Sequence, residues 1–217
     1  MVHALLDKII NENSSFVEEH SKEYFLEHAT GQKPSITLIS CSDSRVQPHV
    51  LLDDPINEIF CVENIGNQMT STQGSVDYGI LHLKTPVLLI LGHVDCGAVK
   101  AFMKGYQGEG ESITKELDTL KPALSEFDDA GSFEEQILQN VQRNLDYQVK
   151  LAVERYHDLL EKGELTIIGA IYDFADSLGF GYGRIVLFNI NGVTDPNEIT
   201  ALPVIQSLDK PIAISRI

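Results

Sequence analysis

Apolar residues of this chain fall into short runs, and segments with helical spacing separate several of these runs. Five runs have the length and residue types of strands. They lie at 35–41, 58–64, 86–92, 165–172 and 184–190. The first and third are almost wholly apolar, as strands covered on both faces of a parallel sheet are. Helical patterns at 74–84 and 97–104 lie between strands. The order predicts an α/β fold with a mainly parallel central sheet of about five strands flanked by helices.

Four further segments have helical or turn patterns. Residues 4–28 predict an amphipathic N-terminal arm, interrupted near Asn13-Ser14-Ser15, that packs on its own domain or on a neighbouring subunit. A short helix is predicted around 112–126. Ser132 and Glu135 have the spacing of a capping box and open a long helix that runs to about Glu161. The glycines of 179–183 favour a hairpin turn over a nucleotide fingerprint.

Composition limits the class of protein. The chain has 217 residues and predicts one domain, 1–217, with residues 1–30 as the helical arm. Its formal charge of −16 argues against nucleic-acid and anionic membrane partners, because phosphate binding needs clustered Lys and Arg. No apolar run approaches the ~18 residues that span a bilayer, and the first residues do not resemble a secretory signal. With 3 cysteines, an odd number, a reducing, cytoplasmic location is expected.

Two motifs carry candidate metal ligands. Cys41 ends the first apolar run, and His93 and Cys96 follow the third. The carboxyl ends of parallel strands form the usual active-site edge of such a sheet, so these side chains are expected to meet. Two thiolates and one imidazole are ligands that zinc prefers, and three protein ligands leave a fourth position open, as in catalytic sites. Gly97 follows at once and allows close backbone approach, with a free amide for a developing anion.

Asp43 and Arg45 alternate with Cys41, so an extended or turning segment presents all three on one side. In a catalytic interpretation, Cys41 binds metal, Asp43 accepts a hydrogen bond from a metal-bound hydroxide, and Arg45 holds Asp43 through a bidentate pair. The alternative is a salt-bridged turn with a buried cysteine, which any one of these residues alone would favour.

These motifs resemble the signatures of the β-class carbonic anhydrases, in particular the plant-type branch. The resemblance rests on 31–45, 59–67 and 74–97, and extends over most of the chain. It implies one Zn²⁺ per subunit on Cys41, His93 and Cys96, and Asp43 and Arg45 as a catalytic dyad. It also implies a CO₂/bicarbonate pocket that includes Gln32, Phe60, Ile65 and Tyr78. Taken singly, each of these four residues also fits an ordinary structural role.

The family resemblance also implies a homodimer or a higher even oligomer, in which the neighbouring subunit supplies part of the pocket. Glu63 departs from the family, which usually has an arginine there. The chain has 0 tryptophans, and the inhibitory bicarbonate site of the allosteric branch needs one. We therefore expect no such site. Cys61 is expected to pack as a small apolar residue of the second strand.

The leading hypothesis is reversible, zinc-dependent hydration of CO₂ to bicarbonate and a proton. One alternative is hydrolysis of carbonyl sulfide or carbon disulfide on the same zinc site. A second is a non-catalytic, zinc-stabilised assembly protein with no use for the Asp43–Arg45 pair. A low-pH form in which Asp43 itself ligates zinc also stays open, and the sequence assigns no histidine as proton shuttle.

Overall fold

The structure is a computed structural model that describes residues 1–125 and 131–217. Contacts within the chain divide it into two compact units, residues 1–33 and 34–217. The last residue of the predicted 112–126 helix lies outside the described residues. Among the described residues, no helix is long and apolar enough to cross a membrane.

The first unit consists of two helices, α1 (Val2–Glu19) and α2 (Lys22–His28). The predicted interruption near residues 13–15 is wrong, because α1 runs through them without a break. Ser14 remains helical, and its hydroxyl donates to the Ile10 carbonyl oxygen at 2.8 Å. The break falls instead before Ser21, whose side chain caps α2 by accepting from the Tyr24 N–H at 3.3 Å.

The second unit is built on one central sheet. Its described strands are β1 (Ile36–Cys41), β2 (Ile59–Asn64), β3 (Val87–His93), β4 (Thr166–Asp173), β5 (Arg184–Ile190) and β6 (Ala213–Ile214). Their order is β2-β1-β3-β4-β5-β6. The four neighbouring strands β2, β1, β3 and β4 are parallel to one another, and β5 runs antiparallel to β4. The mainly parallel α/β fold is thus confirmed, as is the turn at 179–183 between antiparallel strands. The two-residue strand β6 was not predicted, since it is too short to show a period.

Helices cover both faces of this sheet. They are α3 (Gln73–Asp77), α4 (Gly97–Lys104), α5 (Glu111–Asp118), α6 (Lys121–Leu124), α7 (Phe133–Arg155), α8 (His157–Glu161), α9 (Pro196–Ala201) and α10 (Pro203–Gln206). Short helical turns occupy Pro48–Val50 and Thr70–Thr72, and a π-helical segment spans Tyr78–His82. One apolar cluster joins the sheet to α7, and a second joins its other face to α9. Burial on both faces explains the continuous apolar runs of β1 and β3.

The long helix begins as predicted and ends earlier than predicted. Ser132 and Glu135 form both contacts of a capping box at the start of α7. The helix stops at Arg155, because Tyr156 leaves helical geometry and separates α7 from α8. The predicted single helix to Glu161 is therefore two helices. Likewise, the segment after residue 110 forms α5 and α6 rather than one short helix.

Cys61 corrects another expectation. It lies on β2, an edge strand, and its side chain is exposed rather than packed in the core. Val62 and Asn64 are buried, whereas Cys61 and Glu63 are exposed. Because successive residues of a strand point to opposite faces, Cys61 shares the exposed face with Glu63.

Candidate metal centre

The strand order brings Cys41 and His93 to one place. The chain passes from β1 to β2 on one side and then to β3 on the other side of β1. The carboxyl ends of β1 and β3 therefore meet at the point where the strand order reverses, which is where open α/β sheets form their sites. Cys41 is the last residue of β1, and His93 is the last residue of β3.

The ligand atoms of Cys41, His93 and Cys96 lie within 4.8 Å of one another. All three residues are buried, with His93 at 0% exposure. Cys96 joins the group because the chain turns sharply after β3, through a left-handed backbone at Asp95 (φ 60°). Cys96 then stands at the N-cap of α4, with Gly97 as the first helical residue.

His93 is oriented as a metal-binding imidazole is. Its Nδ1 lies 2.9 Å from the backbone carbonyl oxygen of Val94. A carbonyl only accepts, so this contact places the ring proton on Nδ1 and leaves a lone pair on Nε2. That buried Nε2 has no hydrogen-bond partner among the described residues. An unpaired acceptor beside two thiols fits a bound cation.

The two cysteines shift each other's pKa in opposite directions. The pKa of Cys41 falls to about 4, first because the Cys96 thiol donates a hydrogen bond to it, and further through His93 and the Gly66 N–H. The same contact and burial raise the pKa of Cys96 well above its usual value. The Gly66 nitrogen lies 3.5 Å from the Cys41 sulfur. Two sulfur donors held this close, one of them with a lowered pKa, suit a divalent cation, and this donor set fits zinc.

Asp43 and Arg45 form a bidentate pair beside these ligands. Arg45 Nε donates to Asp43 Oδ1 at 2.9 Å, and Nη2 donates to Oδ2 at 2.7 Å. These donors hold the pKa of Asp43 well below its usual range. Asp43 Oδ2 lies 3.9 Å from His93 Nε2. The carboxylate is therefore an ionised acceptor at the edge of the three-residue cluster.

Two residues near Arg45 were absent from the sequence prediction. Asp95 Oδ2 accepts from Arg45 Nη1 at 3.2 Å, and its other oxygen pairs with Lys100. Phe174 lies under the Arg45 guanidinium, with 4.5 Å between Cζ and the ring centroid. Asp95 stands inside the His93-x-x-Cys96 motif, so its position is a signal that the sequence offered. Phe174 lies far along the chain, and no local pattern points to it.

Of the predicted pocket residues, Ile65 and Gly97 lie next to the Cys41–His93–Cys96 cluster. Gly97 directly follows Cys96, and Ile65 directly precedes Gly66, whose N–H contacts the Cys41 sulfur. Ile65 follows β2 and lines a cavity of about 400 Å³ together with Ser42, Ile113 and Glu116. Ser42 directly follows the candidate ligand Cys41, so this cavity opens beside the cluster. One carboxylate oxygen of Glu116 is buried there without a hydrogen-bond partner among the described residues.

Phe60 and Tyr78 do not lie beside the cluster of their own chain. Phe60 pairs in register with Thr37, four residues before Cys41 on β1. At about 3.3 Å per residue, that separation is roughly 13 Å along the strand. The Phe60 and Tyr78 rings contact each other, with centroids 5.8 Å apart. Gln32 lies in the 1–33 unit, after α2.

A second group of potential ligands occurs at His157, Asp158 and Glu161. All three are exposed, and exposed acidic groups of this kind are common without a metal. Among the described residues, Cys41, His93 and Cys96 therefore form the one group of potential metal ligands that is buried.

Comparison with known proteins identifies similar chains. The family model described as Carbonic anhydrase matches residues 36–179. The protein named Carbonic anhydrase 2 of Mycobacterium tuberculosis is 29% identical over 168 residues, which cover 73% of this chain and 76% of that protein. Carbonic anhydrase of Emericella nidulans is 27% identical over 191 residues, with 79% and 81% covered.

Solved structures have the same fold. The β-carbonic anhydrase CcaA aligns with a TM-score of 0.74 and 22% identity over 87% of each chain. The β-carbonic anhydrase CafA of Aspergillus fumigatus aligns with a TM-score of 0.71 and 25% identity, over 91% of this chain and 93% of that one. One of the tetrameric β-carbonic anhydrases of Sordaria macrospora aligns with a TM-score of 0.73 and 23% identity, over 87% and 96%.

Proposed function

This chain belongs to the carbonic anhydrase family, in its β class, and from that premise we propose that it hydrates CO₂ reversibly to bicarbonate and a proton. Cys41, His93 and Cys96 would hold one zinc ion per subunit. The observation that carries the proposal is the buried cluster of these three donors with the ionised Asp43 beside it. Three ligands and an adjacent acceptor suit a catalytic zinc with an open position.

Zinc held by these residues would act as a Lewis acid and lower the pKa of a coordinated water to ~7. The residues of the chain then orient the reactants. Asp43 stays ionised because Arg45 donates to both of its oxygens, so it acts only as an acceptor. It accepts the hydrogen bond of the attacking oxygen and thereby directs a lone pair toward the carbon of CO₂. The Gly66 N–H stabilises the Cys41 sulfur in its anionic form.

The remaining site residues would bind CO₂ and bicarbonate. Ile65 supplies an apolar wall beside the cluster, and the Gly97 amide at the start of α4 favours an anion. Phe60 and Tyr78 are proposed to serve the cluster of a partner subunit, because they lie away from the cluster of their own chain. Gln32 is proposed to donate to a bicarbonate oxygen. A homodimer or higher even oligomer would complete the pocket.

Stopped-flow CO₂ hydration, with zinc content measured on the same sample, tests this function. We expect Cys96→Ser to lose zinc and to lower activity by more than about 100-fold. Replacing a residue that only hydrogen-bonds to a metal ligand costs up to about 100-fold, and loss of a ligand itself should cost more. Cys61→Ser is the matched control: Cys61 is exposed on an edge strand, and this variant should keep both.

Three outcomes would contradict the proposal. Full hydration activity in a zinc-free sample would exclude the metal mechanism. Faster turnover of carbonyl sulfide than of CO₂ would favour the hydrolase. Zinc binding without activity toward either substrate would favour a zinc-stabilised assembly protein.

A further inference from the structure

Arg45 lies between two carboxylates on a partly open surface. It pairs with Asp43 through Nε and Nη2, and with Asp95 through Nη1. Its side chain is 44% exposed, and Asp95 is 45% exposed. The Asp95 pair is exposed on both sides, and such ion pairs are weak because water competes for both partners. Asp43 is only 16% exposed, so its pair with Arg45 is better shielded. The two carboxylates therefore hold the two edges of the guanidinium unequally.

The ring of Phe174 supports the face of the guanidinium, which neither carboxylate contacts. Arg45 Cζ lies over the ring at 4.5 Å from its centroid. A guanidinium over an aromatic face is attracted to the ring quadrupole, and the ring excludes water from that side. Phe174 also lies near His93, with centroids 6.1 Å apart, and near Tyr172 at 5.7 Å. One side chain thus contacts both the dyad and a candidate metal ligand.

The backbone before Phe174 is anchored by a buried carboxylate. Asp173 has 0% exposure. Its Oδ1 accepts from the N–H groups of Ala175 and Ser177 at 3.1 and 3.0 Å, and its Oδ2 accepts from Leu178 at 2.7 Å. Three N–H donors offset the cost of burying this charge and fold residues 174–178 into a fixed turn. Phe174 is the first residue of that turn.

We propose that Phe174 is a positioning residue of the reaction. Held by the Asp173 turn, its ring keeps the Arg45 guanidinium in the orientation that pairs Nε and Nη2 with Asp43. Asp43 then points its free lone pairs toward the attacking oxygen. This role rests on the proposed CO₂ hydration and deepens it, since Phe174 acts on Asp43 through Arg45.

Replacement of Phe174 by mono-, di- and trifluorophenylalanine tests this role in the zinc-loaded protein. Fluorination weakens the ring quadrupole and hardly changes the size of the ring. We expect kcat/KM for CO₂ to fall stepwise, by roughly three- to tenfold at trifluorophenylalanine, with zinc content unchanged. Exchange of the Arg45 Nε proton, followed by NMR and assigned through Arg45→Lys, should accelerate along the same series.

Phe180 provides the matched control. It lies on the same β4–β5 connection, and the aromatic and cation–π contacts of the described residues do not include it. The same series at Phe180 should leave kcat/KM and Arg45 exchange unchanged.

A flat series at Phe174 in an active parent overturns the positioning role alone. Loss of zinc in step with activity also overturns it, because Phe174 would then act through His93. A zinc-loaded parent that does not hydrate CO₂ overturns the proposed function itself, and this role with it.

Discussion

The contact between Arg45 and Asp43 depends on the planar shape of the guanidinium. Two parallel N–H donors, Nε and Nη2, meet the two carboxylate oxygens at 2.9 and 2.7 Å. This fork holds both the charge and the direction of the carboxylate. A lysine ammonium supplies the same charge as a point and cannot hold that direction. Replacing Arg45 by lysine therefore separates the effect of its charge on Asp43 from the effect of its shape on the orientation of Asp43.

For this reason we expect Arg45→Lys to reduce kcat/KM for CO₂ by about 100-fold, the low end for a lost proton-directing contact. Zinc content should not change, because Arg45 is not among the clustered ligand residues. Stopped-flow hydration and metal analysis measure the two quantities. Arg184→Lys, at the exposed start of β5, is the control and should keep full activity. Equal activity of both variants would leave the dyad without a catalytic role.

At the scale of elements, the π-helical segment Tyr78–His82 packs tightly against β1. Gly79 lies so close to Thr37 that an added Cβ would collide with its hydroxyl and methyl groups. The Thr37 and Thr85 hydroxyls are hydrogen-bonded to each other at 2.7 Å in the buried interior. A side chain at residue 79 would therefore disturb both packing and a buried polar pair. Tyr78, a proposed pocket residue, begins this segment.

We expect Gly79→Ala to lower the free energy of unfolding by about 2 kcal/mol, within the usual cost of overpacking a core. Gly74→Ala is the matched control in the neighbouring helix α3, where an added Cβ meets nothing within 4 Å. It should be neutral or stabilising by up to about 1 kcal/mol, as Gly→Ala in helices is. Urea unfolding measures both. Equal changes in the free energy of unfolding would show that the close approach of Gly79 to β1 does not exclude a side chain at this position.

On the scale of the whole molecule, one protomer does not bring all proposed pocket residues together. The proposed zinc ligands and the Asp43–Arg45 pair lie at the carboxyl ends of β1 and β3, whereas Phe60 pairs with Thr37 farther back along the strands. Tyr78 is 45% exposed and contacts Phe60. If a partner subunit receives these two rings, then each active site needs ligands from one chain and pocket residues from another.

A mixture of two inactive variants tests this arrangement. Cys96→Ser should remove the ligand set and Tyr78→Ser the pocket contribution. After the subunits are mixed and allowed to exchange, hybrid oligomers contain some sites with both parts intact. We expect CO₂ hydration in the mixture to rise severalfold above either variant alone, since about half of randomly paired dimers are hybrids and one of the two sites in each hybrid has both parts intact. Activity equal to the average of the two variants would place Tyr78 in the site of its own chain.

Much of the fold could be predicted because its signals are local. Apolar runs marked β1 and β3 as strands covered on both faces, and the capping box marked the start of α7. Local signals failed where two outcomes share one pattern. Polar residues 13–15 suggested a break, but Ser14 bonds back to Ile10 within the helix. The residue types at Cys61 suggested core, but the strand lies at an edge of the sheet.

For the site, the sequence by itself determined the donor types, their places after apolar runs, and the Asp43–Arg45 spacing. These features are local, because they depend on residue chemistry and on the period of a strand. Only the tertiary structure decided that Asp95 and Phe174 flank Arg45, and that Phe60 and Tyr78 lie away from the cluster. Contacts between distant residues follow from the strand order, which no local pattern encodes. The residue types of this site can thus be read from short stretches of sequence, whereas the way its residues are placed around one another depends on the order of strands in the whole sheet.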